Sequence, residues 1–309
     1  MMKSFNIPLV FHPIYSQLDL PERHRFPIDK YRTIYERLLA EGVPHSVFHQ
    51  PKTLDAGSAS PLIDASYVEA LVSNSLDRKQ MRRIGFPWSE QLVKRTFTAV
   101  GGTLLTAELA LAHGIAINLT GGYHHAFADF GSGFCMINDL YLAANRMLEH
   151  DDINRVLIFD CDVHQGDGTA ALAEHRDDII TVSLHCEKNF PYRKQVSNMD
   201  FGLDNHLDDD EYLQTVEQAL HLALSCYDVD AVIYDAGVDI HQYDDLGHLN
   251  ITTQGVYQRD KLVFDACVSR QLPIAAVIGG GYQRDIAALA DVHLQLFKAA
   301  HDVTLSNRD

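Results

Sequence analysis

Arg155-Val156-Leu157-Ile158-Phe159-Asp160-Cys161-Asp162-Val163-His164-Gln165-Gly166-Asp167-Gly168-Thr169 begins as an apolar, β-branched run and ends in acids, a histidine and glycines. A run of this kind, bounded by a turn-forming cluster, reads as a parallel strand buried on both faces. Similar runs lie at Ile115 to Leu119, Ile179 to Leu184, Ala231 to Tyr234 and Ile274 to Ile278, and each ends in an unusual cluster. Helical patterns separate them. The clearest is Glu211 to Cys226, where Leu213, Val216, Leu220, Ala223 and Leu224 recur at helical spacing behind the acidic start Asp208-Asp209-Asp210. Alternating strands and helices predict an α/β fold with a central, mostly parallel sheet flanked by helices on both faces. Ligands in such sheets bind beyond the carboxyl ends of the strands, so the clusters that follow the strands define one expected site.

Outward from this region, a second helix is expected to begin at Ser89 and to stop near Gly114, with Leu92, Phe97 and Val100 among its apolar positions. Gly101-Gly102 inside it marks either close backbone packing or a junction of two helices. Helix signals also occur at Asp29 to Ala40, and a polar stretch containing Pro and Ser runs from Pro51 to Pro61. No linker or repeat divides the chain, so residues 1–309 are expected to form a single domain.

The 46% apolar and 22% charged content is that of a soluble globular chain. A formal net charge of -17 argues against sequence-independent nucleic-acid binding, which needs Lys and Arg to displace counterions; it suits a cationic partner or simply keeps the surface solvated. Cys135, Cys161, Cys186, Cys226 and Cys267 are odd in number and match neither a disulfide framework nor a CxxC zinc knuckle, which fits reduced thiols in the cytoplasm. The apolar run Ile7 to Phe11, broken by Pro8, is too short for a signal-peptide core or a membrane span.

Extended-chain alternation puts Asp160, Asp162 and His164 on one face. Carboxylate oxygen and imidazole nitrogen are zinc ligands, an open site needs a third, and Asp239 after the Ala231 to Tyr234 strand is the natural candidate. Taken alone, Asp-x-Asp after a strand also reads as turn acids and a helix cap. The paired His124 and His125, on a glycine-supported loop after the Ile115 to Leu119 strand, can serve as base and acid near neutral pH. Gly279-Gly280-Gly281 lets the backbone turn tightly, and the hydroxyl of Tyr282 could donate to a developing oxyanion; an ordinary tyrosine packed on a sheet edge would look the same.

Taken together and in order, Gly121-Gly122-Tyr123-His124-His125-Ala126, Gly133-Phe134-Cys135 with Asn138-Asp139, Asp160 to Gly168, Ala236-Gly237-Val238-Asp239 and Gly279-Gly280-Gly281-Tyr282 resemble the zinc-dependent histone deacetylases of the arginase/deacetylase superfamily. Val10-Phe11-His12-Pro13-Ile14-Tyr15 adds a weaker similarity. The stretch from Asp239-Ile240 to Leu249, with Arg259-Asp260 and Gly281-Tyr282-Gln283, looks most like class IV deacetylases and their bacterial relatives. The resemblance implies a sheet of about eight strands between helical layers. It further implies one catalytic zinc on Asp162, His164 and Asp239, with His124 and His125 beside an activated water, Asp160 orienting His124, Asp167 orienting His125, and Tyr282 opposite. Asp160, Ser183 and the carbonyls of Asp162, His164 and Leu184 resemble the family's structural potassium site. Gly133, Phe134 and Leu246 would line an acyl channel. The segment Cys186-Glu187-Lys188-Asn189-Phe190-Pro191-Tyr192 departs from the family pattern by lacking its glycine-containing turn.

The activity so implied is hydrolysis of acyl groups, acetyl or longer, from the side-chain amine of acyl-lysine in a protein or peptide. The spacing does not say which histidine is base and which is acid. The alternatives are hydrolysis of acetylpolyamines or other small acylated amines, an arginase-like binuclear manganese site, and a catalytically silent acyl-lysine binder. An Asp-nucleophile phosphatase also opens with Asp-x-Asp, but His164 stands where that motif carries Thr or Val.

Overall fold

The strands Leu9–Val10 (β1), Phe48–His49 (β2), Ile115–Asn118 (β3), Val156–Asp160 (β4), Ile179–Cys186 (β5), Met199–Leu203 (β6), Ala231–Asp235 (β7) and Ile274–Val277 (β8) pair in parallel throughout, in the spatial order β2-β1-β3-β8-β7-β4-β5-β6. The computed structural model describes Met2, residues 4–59 and residues 62–307. Ser60 and Pro61 of the expected Pro51 to Pro61 stretch, and the ends of the expected 1–309 domain, lie outside the described residues. The helices are Lys30–Ala40 (α1), Ala56–Ala59 (α2), Ala65–Val72 (α3), Arg78–Ile84 (α4), Glu90–His113 (α5), Asp139–Leu148 (α6), Asp167–Ala173 (α7), Asp209–Cys226 (α8), Thr253–Ser269 (α9) and Ile286–Ser306 (α10).

Period-two alternation divides each central strand between two apolar layers. Val156 and Ile158 of β4 face Leu140, Ala143 and Met147 of α6, whereas Leu157 and Phe159 belong to the layer shared with Val216 of α8, Phe264 of α9 and Phe297 of α10. Burial on both faces is why these strands read as unbroken apolar runs. The five expected strands all form, with ends shifted by a residue or two. β1 and β2 are only two residues long, and β6 is an edge strand with partly exposed residues, so none of the three carries that signal.

The register aligns the strand ends. Asp160 pairs with Ser183 on one side and Asp235 on the other, and Asp235 pairs with Val277. The loops after β3, β4, β7 and β8 therefore leave the same edge of the sheet.

α5 runs unbroken through Gly101-Gly102, between the Ser89 side-chain cap and Gly114. A methyl carbon on Gly101 would lie 2.3 Å from the Lys52 carbonyl oxygen, and one on Gly102 would lie 2.1 Å from the Tyr15 hydroxyl. Close packing, not a helix junction, explains the pair. All five cysteines are free, and among the described residues no helix is long and apolar enough to cross a membrane. Gly102→Ala should destabilise the fold by about 1–3 kcal/mol through overpacking, overriding the roughly 1 kcal/mol by which alanine is the better helix former; denaturant unfolding of the variant measures the sign.

Candidate active site

β4 ends at Asp160, and the chain does not continue extended as simple alternation suggested. Instead the Asp160 carboxylate accepts the N–H of Asp162 at 3.0 Å, and the Asp162 carboxylate accepts the N–H of His164 at 3.0 Å. These turns separate the three residues: Asp162 and His164 go to one cluster and Asp160 to another. Asp239, after β7, joins the first.

Asp162, His164 and Asp239 are buried, and a donor atom from each lies within 4.8 Å of the others. One oxygen of Asp162 accepts the Gly280 N–H at 2.9 Å and one of Asp239 accepts the Val163 N–H at 2.9 Å. Their second oxygens converge on Nδ1 of His164 at 3.0 and 3.1 Å. One proton on one nitrogen cannot fully satisfy two carboxylates, whereas a divalent cation accepting two oxygens and a nitrogen can. The donor set thus fits a zinc-like ion. Burial opposes charge on His164, but hydrogen bonds to both aspartates outweigh it and raise its pKa to about 10. Asp239, desolvated and repelled by Asp162, is raised to about 7. Asp162 is lowered well below the carboxylate range: burial would raise it, but His124 and His164 prevail.

The histidine loop supplies two imidazole–carboxylate pairs. Nδ1 of His124 donates to Asp160 at 2.7 Å and Nδ1 of His125 donates to Asp167 at 2.6 Å, which leaves the two Nε2 atoms 3.1 Å apart. His124 Nε2 is 3.8 Å from Asp162. Burial disfavours charge on both rings, with opposite outcomes. Asp160, Asp162 and Asp235 overcome it for His124 and hold its pKa well above the usual value. For His125 the His124 charge adds to desolvation, and despite Asp167 the pKa falls to about 4.

Gly280 lies against the Asp162, His164 and Asp239 cluster: a methyl carbon there would sit 2.3 Å from a carboxylate oxygen of both Asp162 and Asp239, so glycine is what permits this approach. Beyond it, the Tyr282 N–H donates to Asp244 at 2.7 Å, and the Tyr282 ring lies 6.4 Å from that of His164. Burial and the nearby Asp162 and Asp239 raise the Tyr282 pKa well above its ordinary value, so its hydroxyl remains a donor. Lys30 was not singled out in the sequence, where it looks like any first-turn helix residue. It is 1% exposed, its ammonium donates to the Gly279 carbonyl at 3.0 Å, and burial lowers its pKa to about 8. Asp235 was also missed as an individual residue. It is fully buried 3.9 Å from His124 Nδ1, and neither of its carboxylate oxygens has a hydrogen-bond partner among the described residues.

Gly133 and Phe134 lie beside Tyr282 and the histidine pair. The Phe134 ring lies 5.9 Å from Tyr282, and a methyl carbon on Gly133 would meet both His125 and Phe190. Phe190 is an addition: its ring packs 4.8 Å from His125 and 6.2 Å from His164. The irregular Cys186 to Tyr192 segment was the visible signal, without saying which side chain packs beside the histidines. Asn189 of that segment donates to the Leu246 carbonyl at 2.8 Å and ties the two loops together. Ser183, beside Asp160 in the sheet, has its hydroxyl 3.0 Å from His185 Nδ1, and Leu184 is buried on β5.

Residues 24–298 match the histone deacetylase domain, and the chain belongs to the histone deacetylase family. It is 47% identical to an uncharacterised protein of Picosynechococcus sp. over 96% of this chain and 99% of that one. It is 29% identical to histone deacetylase 2 of Arabidopsis thaliana over 83% of this chain, and 35% identical to histone deacetylase 8 of Xenopus laevis over 60% of it. Those matches span 65% and 59% of the two relatives' own lengths. The crystal structure of a histone deacetylase homologue complexed with SAHA has the same fold, with a TM-score of 0.80 and 19% identity over 98% of this chain and 89% of that one.

With its pKa at about 10, His164 is protonated near pH 7 when no cation is bound, and Asp239 is partly so. Both must lose protons to act as ligands. Cation affinity should therefore rise with pH from about 6 to 9, with at least one proton released per ion near neutrality. Calorimetry in buffers of different ionisation enthalpy measures this; an affinity independent of pH would contradict the ligand assignment.

Proposed function

We propose that this chain is a zinc-dependent deacetylase that removes acyl groups, acetyl or longer, from the side-chain amine of acyl-lysine in a protein or peptide, working as a single catalytic domain in the cytoplasm. The observation that carries the reading is the pair of buried histidine–carboxylate couples, with Nε2 atoms 3.1 Å apart, beside the Asp162, His164 and Asp239 cluster. A zinc ion held by those three residues would polarise the amide carbonyl and acidify a water.

The protein groups divide the remaining work. His125, neutral because its pKa is near 4, accepts the proton of the attacking water at Nε2 and delivers it to the departing amine. His124, held cationic by its carboxylate neighbours, stabilises the negative charge that develops. Asp160 and Asp167 fix the two rings. The Tyr282 hydroxyl donates to the carbonyl oxygen as it becomes an oxyanion. Asp160, Ser183 and the main-chain oxygens of Asp162, His164 and Leu184 would hold a structural potassium ion.

Gly133, Phe134, Leu246 and Phe190 form the channel walls in this reading. A cavity beside Tyr282 is bounded by Lys30, Tyr31, Tyr123 and Cys135.

Tyr282→Phe should retain its metal and lose on the order of 100-fold in turnover, measured with an acetyl-lysine peptide; unchanged turnover would remove the tyrosine from the mechanism. Asp239→Asn should lose metal, as read by elemental analysis. In a panel of acyl-lysine peptides, cleavage should be detected and should vanish on chelation. Efficient cleavage of acetylputrescine with none of the peptide would transfer the assignment to small acylated amines.

A further inference from the structure

The motif Arg259-Asp260 on α9 has no place in the chemistry above, yet both side chains are completely buried. Asp260 accepts from Arg259 at 2.8 Å and from the Tyr234 hydroxyl at 2.6 Å. The rest of the guanidinium is turned toward the backs of the two loops that carry the candidate ligands. Nη1 donates to the Gly237 carbonyl at 2.5 Å and reaches the Cys161 carbonyl at 3.4 Å, while Nη2 donates to the Ala236 carbonyl at 3.1 Å. Cys161 lies between Asp160 and Asp162, and Ala236-Gly237 lies between Asp235 and Asp239.

We propose that Arg259 is a positioning residue that bridges the β4 and β7 loops and thereby sets the separation of Asp162 and Asp239, and with it the affinity of the cluster for a divalent cation. The inference rests on reading Asp162, His164 and Asp239 as cation ligands. Because Asp260 cancels the guanidinium charge locally, the effect is geometric: a planar fork holds two main-chain segments at once. An ammonium is a point donor that does not reproduce that fork. Residues behind a metal's ligands typically change affinity or activity by about 10–100-fold when altered.

The test is Co²⁺ affinity by competition with a chromophoric chelator, alongside the unfolding midpoint of the metal-free protein and hydrolysis of an acetyl-lysine peptide. Arg259→Lys keeps the charge and removes the fork. Because a lone buried charge destabilises a fold, the paired variant Arg259→Met with Asp260→Leu removes both charges together. The expected result is a Kd for Co²⁺ raised by about 10–100-fold in a variant that still unfolds cooperatively, with a weakened or altered Co²⁺ ligand-field spectrum. Wild-type affinity in either folded variant overturns the proposal. Failure of both variants to fold also overturns it, since the pair would then serve the fold alone. Wild-type protein that binds Co²⁺ but cleaves no acylated amine would end the functional reading and leave the positioning role intact; wild-type protein that binds no Co²⁺ would end both.

Discussion

Two buried aspartates aimed at one imidazole nitrogen are the constraint around which this molecule is organised. Withdrawing two carboxylates from water and placing them together is unfavourable unless donors or a cation compensate. The chain supplies fixed donors, the N–H groups of Val163, His164 and Gly280, and leaves one oxygen of each carboxylate facing His164. Donors this rigid require rigid loops. Parallel pairing of β4, β7 and β8 brings those loops to one edge, and the absence of a side chain at Gly280 lets the third loop approach both acids.

The same electrostatics separates two adjacent, chemically identical side chains. His124 faces three carboxylates and His125 faces one carboxylate and the charge of His124, so burial that penalises both leaves one protonated and the other neutral. The two rings thereby take two different protonation states side by side. Neighbour geometry provides them without a difference in residue type.

The histidine loop is also tied to a remote helix. Tyr15 donates to Asn118, whose amide donates to Thr103, and the Thr103 hydroxyl donates to Asp139, which in turn accepts the N–H groups of Gly122 and Tyr123. Gly102 lets α5 lie close enough to Tyr15 for this chain of bonds to form. The paired glycines in the middle of that helix therefore bear on how the loop before His124 is held.

Much of this was readable in advance. Unbroken apolar runs revealed the five central strands because burial on both faces selects apolar residues at every position, and the acids, histidines and glycines after them indicated where chemistry would gather. The same pattern could not reveal β1, β2 or β6, which are too short or too exposed to carry it. Nor could it distinguish Lys30, Asp235 or Phe190 from ordinary helix, strand and loop residues, or say what the Arg259-Asp260 motif faces, because nothing in the local sequence records those contacts. Sequence alone determined the types of donor and their order along the chain, since those depend only on residue chemistry and covalent order. Only the tertiary structure decided that the chain turns after Asp160, that Lys30, Asp235 and Phe190 join the residues around it, and that the neighbours of His124 raise its pKa while those of His125 lower it. Those outcomes depend on distances of a few ångströms between segments far apart in the chain, and such distances are set by sheet register and packing.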